Sequence, residues 1–359
     1  MQQPFPSDIN TSHPARVGRA VISLSRLTEP VVPADCSYVL VTPDGVVGGA
    51  VPGVIARLDE HGLQVAGCRL LNLTVEAMAE VYQETSWSIV NSGYADVTFS
   101  WDMHGELYGL APACLIMLRR PTTGVCEAIL RCKGHTLPEL AAPDTIRWSG
   151  ENVIFNLVHC PDDGVAAVRE LAILVGPAVS AQLLAVARSA DPRLDELLGA
   201  TAMESCLPAF SGWAAISFAV IANKLRRRVV QQLALGVHKD AAALDRLAWA
   251  QRLLADEERA LAAAPTSGAR LEIARRADPD IHADLRAVAA GSGSNTLVVA
   301  LDSLSQLYRL NGERDLDSVL ALQELGVYLS PLEKVIVESH CYAFRPGSDL
   351  VRIYSDTLT

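Results

Sequence analysis

The feature that most constrains the fold of this chain is a change of sequence pattern near Ala178. Before this residue, short runs of apolar and β-branched residues alternate with stretches of helical periodicity, and turn residues separate them. From Ala178 onward, helical spacing prevails almost throughout. Strands that alternate with helices predict a layered domain, whereas sustained helical spacing predicts an all-α domain. The 359 residues suffice for both, so we expect an arm over 1–36, a layered domain over 37–177 and an all-α domain over 178–359.

The layered domain is expected to be α+β, a ferredoxin-like α/β sandwich with an antiparallel sheet and helices on one face. His159 is expected at the edge of its last strand. The pattern also predicts a turn at 42–45 and a hairpin or a lid over 93–109. The predicted strands are 37–41, 63–73, 113–118 and 152–159, and the predicted helices are 51–59, 74–84 and 123–132.

The second predicted domain consists of helices, and its sequence does not indicate its role. A face of Leu244, Leu247, Ala248, Gln251 and Leu254 has the spacing of a helix packed in a bundle. The predicted helices are 178–190, 202–235, 241–263, 271–276, 281–290, 295–310 and 316–325, with breaks at Pro192, Pro265, 291–293 and Gly312.

Composition excludes several classes of partner and location. The formal net charge is -11, which argues against a general affinity for nucleic acid phosphates. The most apolar window, 207–223, is short and interrupted, so it predicts a core helix and no membrane span. The eight cysteines form no C-x-x-C pair and lie mostly in apolar runs, which favours reduced thiols. The N-terminus lacks the apolar core of a secretory signal. We therefore expect a cytoplasmic protein.

One histidine stands out as a candidate for chemistry. The apolar run from Asn152 ends at His159, and the chain then breaks at Pro161-Asp162-Asp163, so the imidazole is presented where a strand meets a loop. Neutral imidazole can act as a nucleophile or a general base near neutral pH. A histidine at the end of a strand can equally be structural, and only partner residues elsewhere in the chain distinguish the two interpretations.

Several separate motifs around His159 resemble those of the nucleoside diphosphate kinase family. The stretch 38–84, which begins YVLVTPDG, is similar to the opening of that family. The segments GHTLP at 134–138 and DTIR at 144–147 resemble its second signature, and Asn156-Leu157-Val158-His159 matches its active-site Asn-x-x-His. Glu170 falls where the family places the carboxylate that orients the histidine. The resemblance covers about residues 37–176, with the motifs in the family's order.

The resemblance implies a ping-pong transfer in which a histidine takes a γ-phosphate from a nucleoside triphosphate and passes it to a nucleoside diphosphate. Such a transfer depends on an in-line nucleophile and on cations or donors around the phosphoryl group. It also implies ATP or another nucleotide as partner, Mg²⁺ bound with the nucleoside triphosphate, and homo-oligomers. The implied roles are phospho-acceptor for His159, orienting carboxylate for Glu170, phosphate contacts for Arg147 and Thr136, a sugar contact for Asn156, and a position close to the phosphates for Tyr82.

Three positions depart from the family pattern. Thr42 stands where the family has the lysine of a Lys-Pro-Asp-Gly loop, Leu130 aligns with an arginine, and Cys160-Pro161 replaces Gly-Ser after the histidine. Loss of one cation beside a phosphate costs a few kcal/mol of transition-state stabilisation, which is roughly two or more decades in rate. Arg131 or Lys133 could replace the arginine only if their helix were shifted or turned. We therefore expect either a specialised or impaired phosphotransferase, or a catalytically silent nucleotide-binding or scaffold module with a helical protein-interaction domain.

The all-α domain contains one candidate source of the missing charge. Lys224 and the arginines at 226–228 form a basic cluster on a predicted helix. Such a cluster is typical of a solvated or salt-bridged face, and the alternative is that it supplies a cation near Thr42. His238, His282 and His340 are too far apart in sequence to form a metal motif by spacing, so we predict no metal ligands.

Overall fold

The structure, a computed structural model, describes residues 35–82, 105–189, 212, 216–308 and 316–343. The predicted arm falls outside these residues except for its last two. The greater part of the predicted hairpin or lid over 93–109 lies outside them, as do the first residues of the helix predicted over 202–235 and the predicted breaks at Pro192 and Gly312.

Four antiparallel strands form one sheet in the order β2-β3-β1-β4. The strands are β1 Cys36–Val41, β2 Gln64–Leu71, β3 Ala113–Arg119 and β4 Val158–His159. In the register of the sheet, Leu40 of the central strand β1 lies opposite His159 of the edge strand β4. The predicted antiparallel sheet and the edge position of His159 are therefore confirmed.

The described residues include these helices beside the sheet: α1 Pro43–Val47, α2 Val51–Glu60, α3 Val75–Val81, α4 Val125–Lys133, α5 Gly164–Val175 and α6 Pro177–Ser189. A short helical segment over 105–110 precedes β3. The Thr74 hydroxyl accepts a hydrogen bond from Ala77 N–H at the start of α3, which satisfies an otherwise unpaired amide. The turn predicted at 42–45 is wrong, because the helix α1 begins there. Pro43 is compatible with the first turn of a helix, where its missing N–H needs no partner.

The helices cover both faces of the sheet, which corrects the prediction of helices on one face. Val39 and Val41 of β1 join an apolar cluster with α2 and α4, whereas Tyr38 and Leu40 join a second cluster with α3, α5 and α6. All six residues of β1 are buried. A strand that is apolar on both sides requires cover on both sides, and this explains the two helical layers.

The remaining helices are α7 Phe218–Gly236, α8 Ala241–Ala263, α9 Ser267–Gly291, α10 Asn295–Gln306, α11 Leu316–Leu320 and α12 Pro331–Ala343. The all-α character of this part is confirmed. The two helices predicted over 271–276 and 281–290 are one helix, α9, which continues through the exposed Pro279. Water can satisfy the carbonyl group that the proline leaves without a partner. On α8, Leu247 and Leu254 are buried as predicted, whereas Leu244 is exposed.

Helix α6 packs on the sheet although the predicted division places it in the all-α domain. It contacts β1, β2 and β3, and its Ala187 is buried in the second cluster. The first cluster extends from the sheet into α7 and α12, where it includes Phe218 and Ile336. The domain division itself stays a prediction, and the two parts share an apolar core at their junction.

The arginines of the basic cluster form ion pairs inside the helical part. Arg226 is buried between Asp278 and Glu257, at 2.6 and 3.4 Å. The other two pairs are Arg227 with Glu258 at 2.8 Å and Arg228 with Glu333 at 2.9 Å. The prediction of a salt-bridged face is therefore correct for these arginines. The alternative prediction, that they supply a cation near Thr42, is wrong.

Candidate active site

The loop before β4 presents the candidate histidine, and it differs from the prediction. Only Val158 and His159 form a strand, while residues 151–157 make a series of bends. Leu157 has a φ of 74°, the left-handed region that residues with a β-carbon rarely adopt. Its N–H donates to Oδ2 of Asp44 at 3.0 Å, and its carbonyl accepts from the N–H of Thr42 at 2.9 Å. These two bonds hold the unusual backbone that leads into His159.

The His159 imidazole is held by one carboxylate. Its Nε2 lies 2.8 Å from Oε2 of Glu170, and both residues are buried, with 9% and 5% exposure. A carboxylate that accepts from Nε2–H selects the tautomer in which Nδ1 carries the lone pair. No side chain among the described ranges has a hydrogen bond to Nδ1. The arrangement therefore leaves the lone pair of Nδ1 without a hydrogen-bond partner among the described residues.

Two tyrosines border this pair. The Tyr82 ring meets the His159 ring edge-on at a centroid distance of 4.8 Å, as the predicted proximity requires. The Tyr38 hydroxyl donates to Oε2 of Glu170 at 2.6 Å, so one carboxylate oxygen serves both Tyr38 and His159. Tyr38 was not predicted as a site residue. Its place on β1, two residues before the partner of His159, becomes informative only when the strand register is known.

Arg147 connects the remaining predicted residues to the strand of the histidine. Its Nη1 donates to the Thr136 hydroxyl at 3.1 Å, and its Nη2 donates to the carbonyl of Val158 at 2.9 Å. Nδ2 of Asn156 donates to the carbonyl of Val153 at 2.6 Å and lies 3.5 Å from the carbonyl of Thr136. The structure thus brings all the predicted site residues together around 156–159, and their individual roles stay predictions.

Thr42 and Leu130 bring no positive charge to this site. Thr42 is buried, Leu130 packs against the apolar core, and Arg131 is exposed. Lys133 is nearer the histidine, because its ammonium lies beside the thiol of Cys160, the residue after His159. This charge opposes the larger effect of burial, which raises the pKa of that thiol. Arg147, Lys133 and Arg169 are therefore cations that the described residues place near His159 or its carboxylate partner.

Arg169 is a second residue that the sequence analysis missed. Its guanidinium donates to the carbonyls of Glu80 and Val81 at the end of α3, and its Nη2 lies 3.3 Å from Oε1 of Glu170. The next residue after α3 is Tyr82. Arg169 therefore connects the end of α3, which precedes Tyr82, to Glu170 of α5. Its position beside Glu170 in sequence gave no signal of this, because adjacent residues on a helix point in different directions.

The ionisation of Asp44 makes the free energy of unfolding depend on pH. Burial raises the pKa of Asp44 from its ordinary value of 3.8 to about 6. Between those two values the folded protein holds a proton that the unfolded chain releases, so folding becomes less favourable as the pH rises through this window. Asp44→Asn removes the ionisation, and its amide oxygen can still accept from Leu157. We expect the wild type to lose about 2 kcal/mol of unfolding free energy relative to the variant between pH 4 and pH 7.

Urea denaturation of both proteins at the two pH values measures this difference. If the gap between wild type and Asp44→Asn is the same at pH 4 and pH 7, Asp44 does not titrate in this window.

The described side chains do not form a metal-binding cluster. Among residues 35–82, 105–189, 216–308 and 316–343, no group of three or more His, Cys, Asp or Glu side chains could hold a metal ion. The seven cysteines in these ranges are free thiols. No helix in the same ranges is long and apolar enough to span a membrane.

The comparisons with known proteins fall on the part of the chain that contains this site. The family model described as nucleoside diphosphate kinase matches residues 35–178. The nucleoside diphosphate kinase of Moorella thermoacetica is 30% identical over 143 residues, which are 40% of this chain and 94% of that protein. The enzyme of Methanosarcina barkeri is 32% identical over 138 residues, which are 38% of this chain and 85% of that protein.

Solved structures give matches over the same share of the chain. The nucleoside diphosphate kinase of Encephalitozoon cuniculi covers 40% of this chain with 89% of its own, at 19% identity and a TM-score of 0.33. A nucleoside diphosphate kinase family protein from Babesia bovis covers 40% of this chain with 90% of its own, at 23% identity and a TM-score of 0.33. The kinases of Moorella thermoacetica and Methanosarcina barkeri match this chain over most of their own length, so the predicted resemblance is confirmed. Through its residues 35–178, this chain belongs to the nucleoside diphosphate kinase family.

Proposed function

We propose that the chain is a nucleotide-dependent phosphotransferase that carries a γ-phosphate on Nδ1 of His159. The observation that supports this most directly is the 2.8 Å contact between Nε2 of His159 and Glu170, which leaves Nδ1 as the nucleophile. The lone pair of Nδ1 forms a bond to the γ-phosphorus, and the bond from that phosphorus to the bridging oxygen breaks. The nucleoside diphosphate leaves with the electron pair. A terminal oxygen of a second nucleoside diphosphate then takes the phosphoryl group from His159.

Arg147 is the residue that we assign to the phosphate. Two of its N–H groups are used by Thr136 and Val158, and its buried Nε meets no acceptor among the described residues. A guanidinium has five N–H donors, so Arg147 can keep its structural contacts and still donate to a phosphate oxygen. Thr136 orients the guanidinium, and Asn156 is assigned to the sugar.

The shortage of cations argues for a specialised or impaired member of the family. A neutral Thr42 cannot supply the charge of a lysine, and Leu130 cannot supply that of an arginine. Lys133 beside Cys160 offsets part of this loss. We therefore infer a rate of phosphoryl transfer below that of a site with the full set of cations.

The nucleotide and its metal belong to the same proposal. Mg²⁺ is held mainly by phosphate oxygens and water in many nucleotide sites, so the lack of a ligand cluster in the described ranges is compatible with a metal that arrives on ATP or another nucleoside triphosphate. Homo-oligomers are a further expectation from the family. The free thiols fit a reducing compartment, and on this ground we propose the cytoplasm.

Incubation with γ-³²P-labelled ATP and Mg²⁺ tests the proposal. We expect an alkali-stable, acid-labile label on the wild type, and we expect no label on His159→Ala, because this substitution removes the imidazole that carries the phosphate. His61→Ala, which replaces a histidine that contacts the carbonyl of Arg57, is the matched control and should label normally.

Two results would contradict the proposed phosphotransferase activity. An unlabelled wild type that still binds ATP in a calorimetric titration indicates a silent nucleotide-binding module, and a label that persists in His159→Ala places the chemistry on another residue.

A further inference from the structure

Glu151 joins the active-site loop to the helical part of the chain. This buried residue lies at the start of the loop 151–157, and its Oε1 accepts a hydrogen bond from the N–H of Phe218 at 2.7 Å. Phe218 is the first residue of α7, so the carboxylate meets the positive end of that helix. Its Oε2 lies 3.8 Å from Nη1 of Arg270, a residue of the first turn of α9. One side chain of the loop thus contacts two helices of the other part.

Asn152 makes a second connection beside the first. Its Oδ1 accepts from the N–H groups of Ile154 and Phe155, at 2.9 and 3.0 Å, which bends the loop. Its Nδ2 donates to the Ser339 hydroxyl of α12 at 3.2 Å. The backbone closes the same bend, because the N–H of Glu151 donates to the carbonyl of Phe155 at 2.7 Å. The bend is therefore tied to the helical part by two successive residues.

The other end of this loop is the unusual backbone at Leu157. A residue with a β-carbon and a positive φ is strained and persists only when its surroundings hold it. Asp44 and Thr42 hold it from the sheet side. Glu151 and Asn152 fix the start of the same short loop from the helical side. His159 follows Leu157 by two residues, so its placement depends on both anchors.

We propose that the helical part acts as a positioning element of the active site, and that Glu151 is the positioning residue through which it fixes the loop that presents His159. The inference deepens the proposed phosphotransfer, because it assigns a role to the part of the chain outside residues 35–178. Glu151 does not touch His159 in this account. It acts by holding the backbone so that Nε2 of His159 remains on Glu170 and Nδ1 remains in line for the phosphate.

The test compares three variants of the full chain. Glu151→Ala removes the acceptor and the charge, Glu151→Gln keeps an oxygen for Phe218 N–H and removes the charge, and Asn152→Ala removes the second connection. Glu333→Gln is the matched control, because Glu333 is also a buried carboxylate that pairs with an arginine and accepts from a backbone N–H, but all of its partners lie in the helical part.

Two readouts are needed at a temperature where circular dichroism shows each variant folded. The first is the initial rate of His159 labelling by γ-³²P-labelled ATP. The second is the ¹⁵N NMR signal of the His159 ring, assigned by its loss in His159→Gln. We expect Glu151→Ala to label about 10–100-fold more slowly and to lose the single Nε2–H tautomer signal. Glu151→Gln and Asn152→Ala should show smaller changes of the same kind, and Glu333→Gln should change neither readout.

A folded Glu151→Ala with the wild-type rate and ring signal would overturn the proposal. If Glu151→Ala does not fold, unchanged ring signals in both Glu151→Gln and Asn152→Ala overturn it instead. If the wild type is never labelled, the phosphotransferase fails, and the ring signal alone then decides whether Glu151 positions His159.

Discussion

Glu170→Gln is expected to slow the phosphorylation of His159 by about 10²–10⁴-fold without a comparable loss of nucleotide affinity. In the wild type, Oε2 of Glu170 accepts from Nε2–H of the histidine and from the Tyr38 hydroxyl. The glutamine amide has one acceptor oxygen, and it lacks the charge that stabilises the imidazole as Nδ1 becomes bonded to phosphorus. When the NH₂ group faces Nε2, it favours the other tautomer, whose proton occupies the nucleophilic nitrogen.

Rapid-quench labelling measures this rate, and a calorimetric titration measures the affinity for the nucleotide. Glu60→Gln is the matched control, since Glu60 is an exposed carboxylate that pairs with Arg57 on α2. It should retain the wild-type rate. A Glu170→Gln variant that is phosphorylated as fast as Glu60→Gln would show that Glu170 does not orient the nucleophile.

Arg226→Met is expected to lower the unfolding free energy at pH 7 by about 3–5 kcal/mol. The guanidinium is 2% exposed, donates to Asp278 at 2.6 Å, lies 3.4 Å from Glu257 and stacks 4.5 Å above the Tyr308 ring. Methionine fills much of the same volume but leaves two buried carboxylates without their cation. Burial raises the pKa of Glu257, so the loss should shrink as the pH falls and this carboxyl group takes a proton.

Urea denaturation at pH 7 and pH 5 tests this expectation. Arg227→Met is the matched control on the same helix, because Arg227 pairs with Glu258, whose side chain is 53% exposed. A surface pair of this kind contributes about 0–1 kcal/mol. If both variants lose the same unfolding free energy, burial does not increase the contribution of the Arg226 ion pairs to stability.

The elements with the clearest local signals were predictable. The strand from Ala113 is a run of apolar residues, the helix from Val51 has apolar residues at helical spacing, and Thr74 is a strong N-cap. Local propensity and tertiary packing therefore favour the same structure at each of these elements. Some predictions failed because a side chain bonds to the nearby backbone, and others because tertiary packing overrides local preference. The apolar run after Asn152 looks like a strand, but the side chain of that asparagine bonds to the backbone and bends it. The exposed Pro279 did not end its helix, because packing of α9 outweighs one lost hydrogen bond.

The sequence by itself determined the identity of the candidate nucleophile, its carboxylate and the positions where cations are missing, because these properties depend on residue type at an ordered spacing. Tertiary structure alone decided that Tyr38 and Arg169 share the carboxylate of Glu170, that Lys133 lies beside Cys160, and that the arginines of α7 are engaged in the helical part. These contacts join residues that are distant in sequence or point apart locally, so no periodicity records them. The bond from Glu151 to α7 is of the same kind, since it exists only once the two parts are folded together.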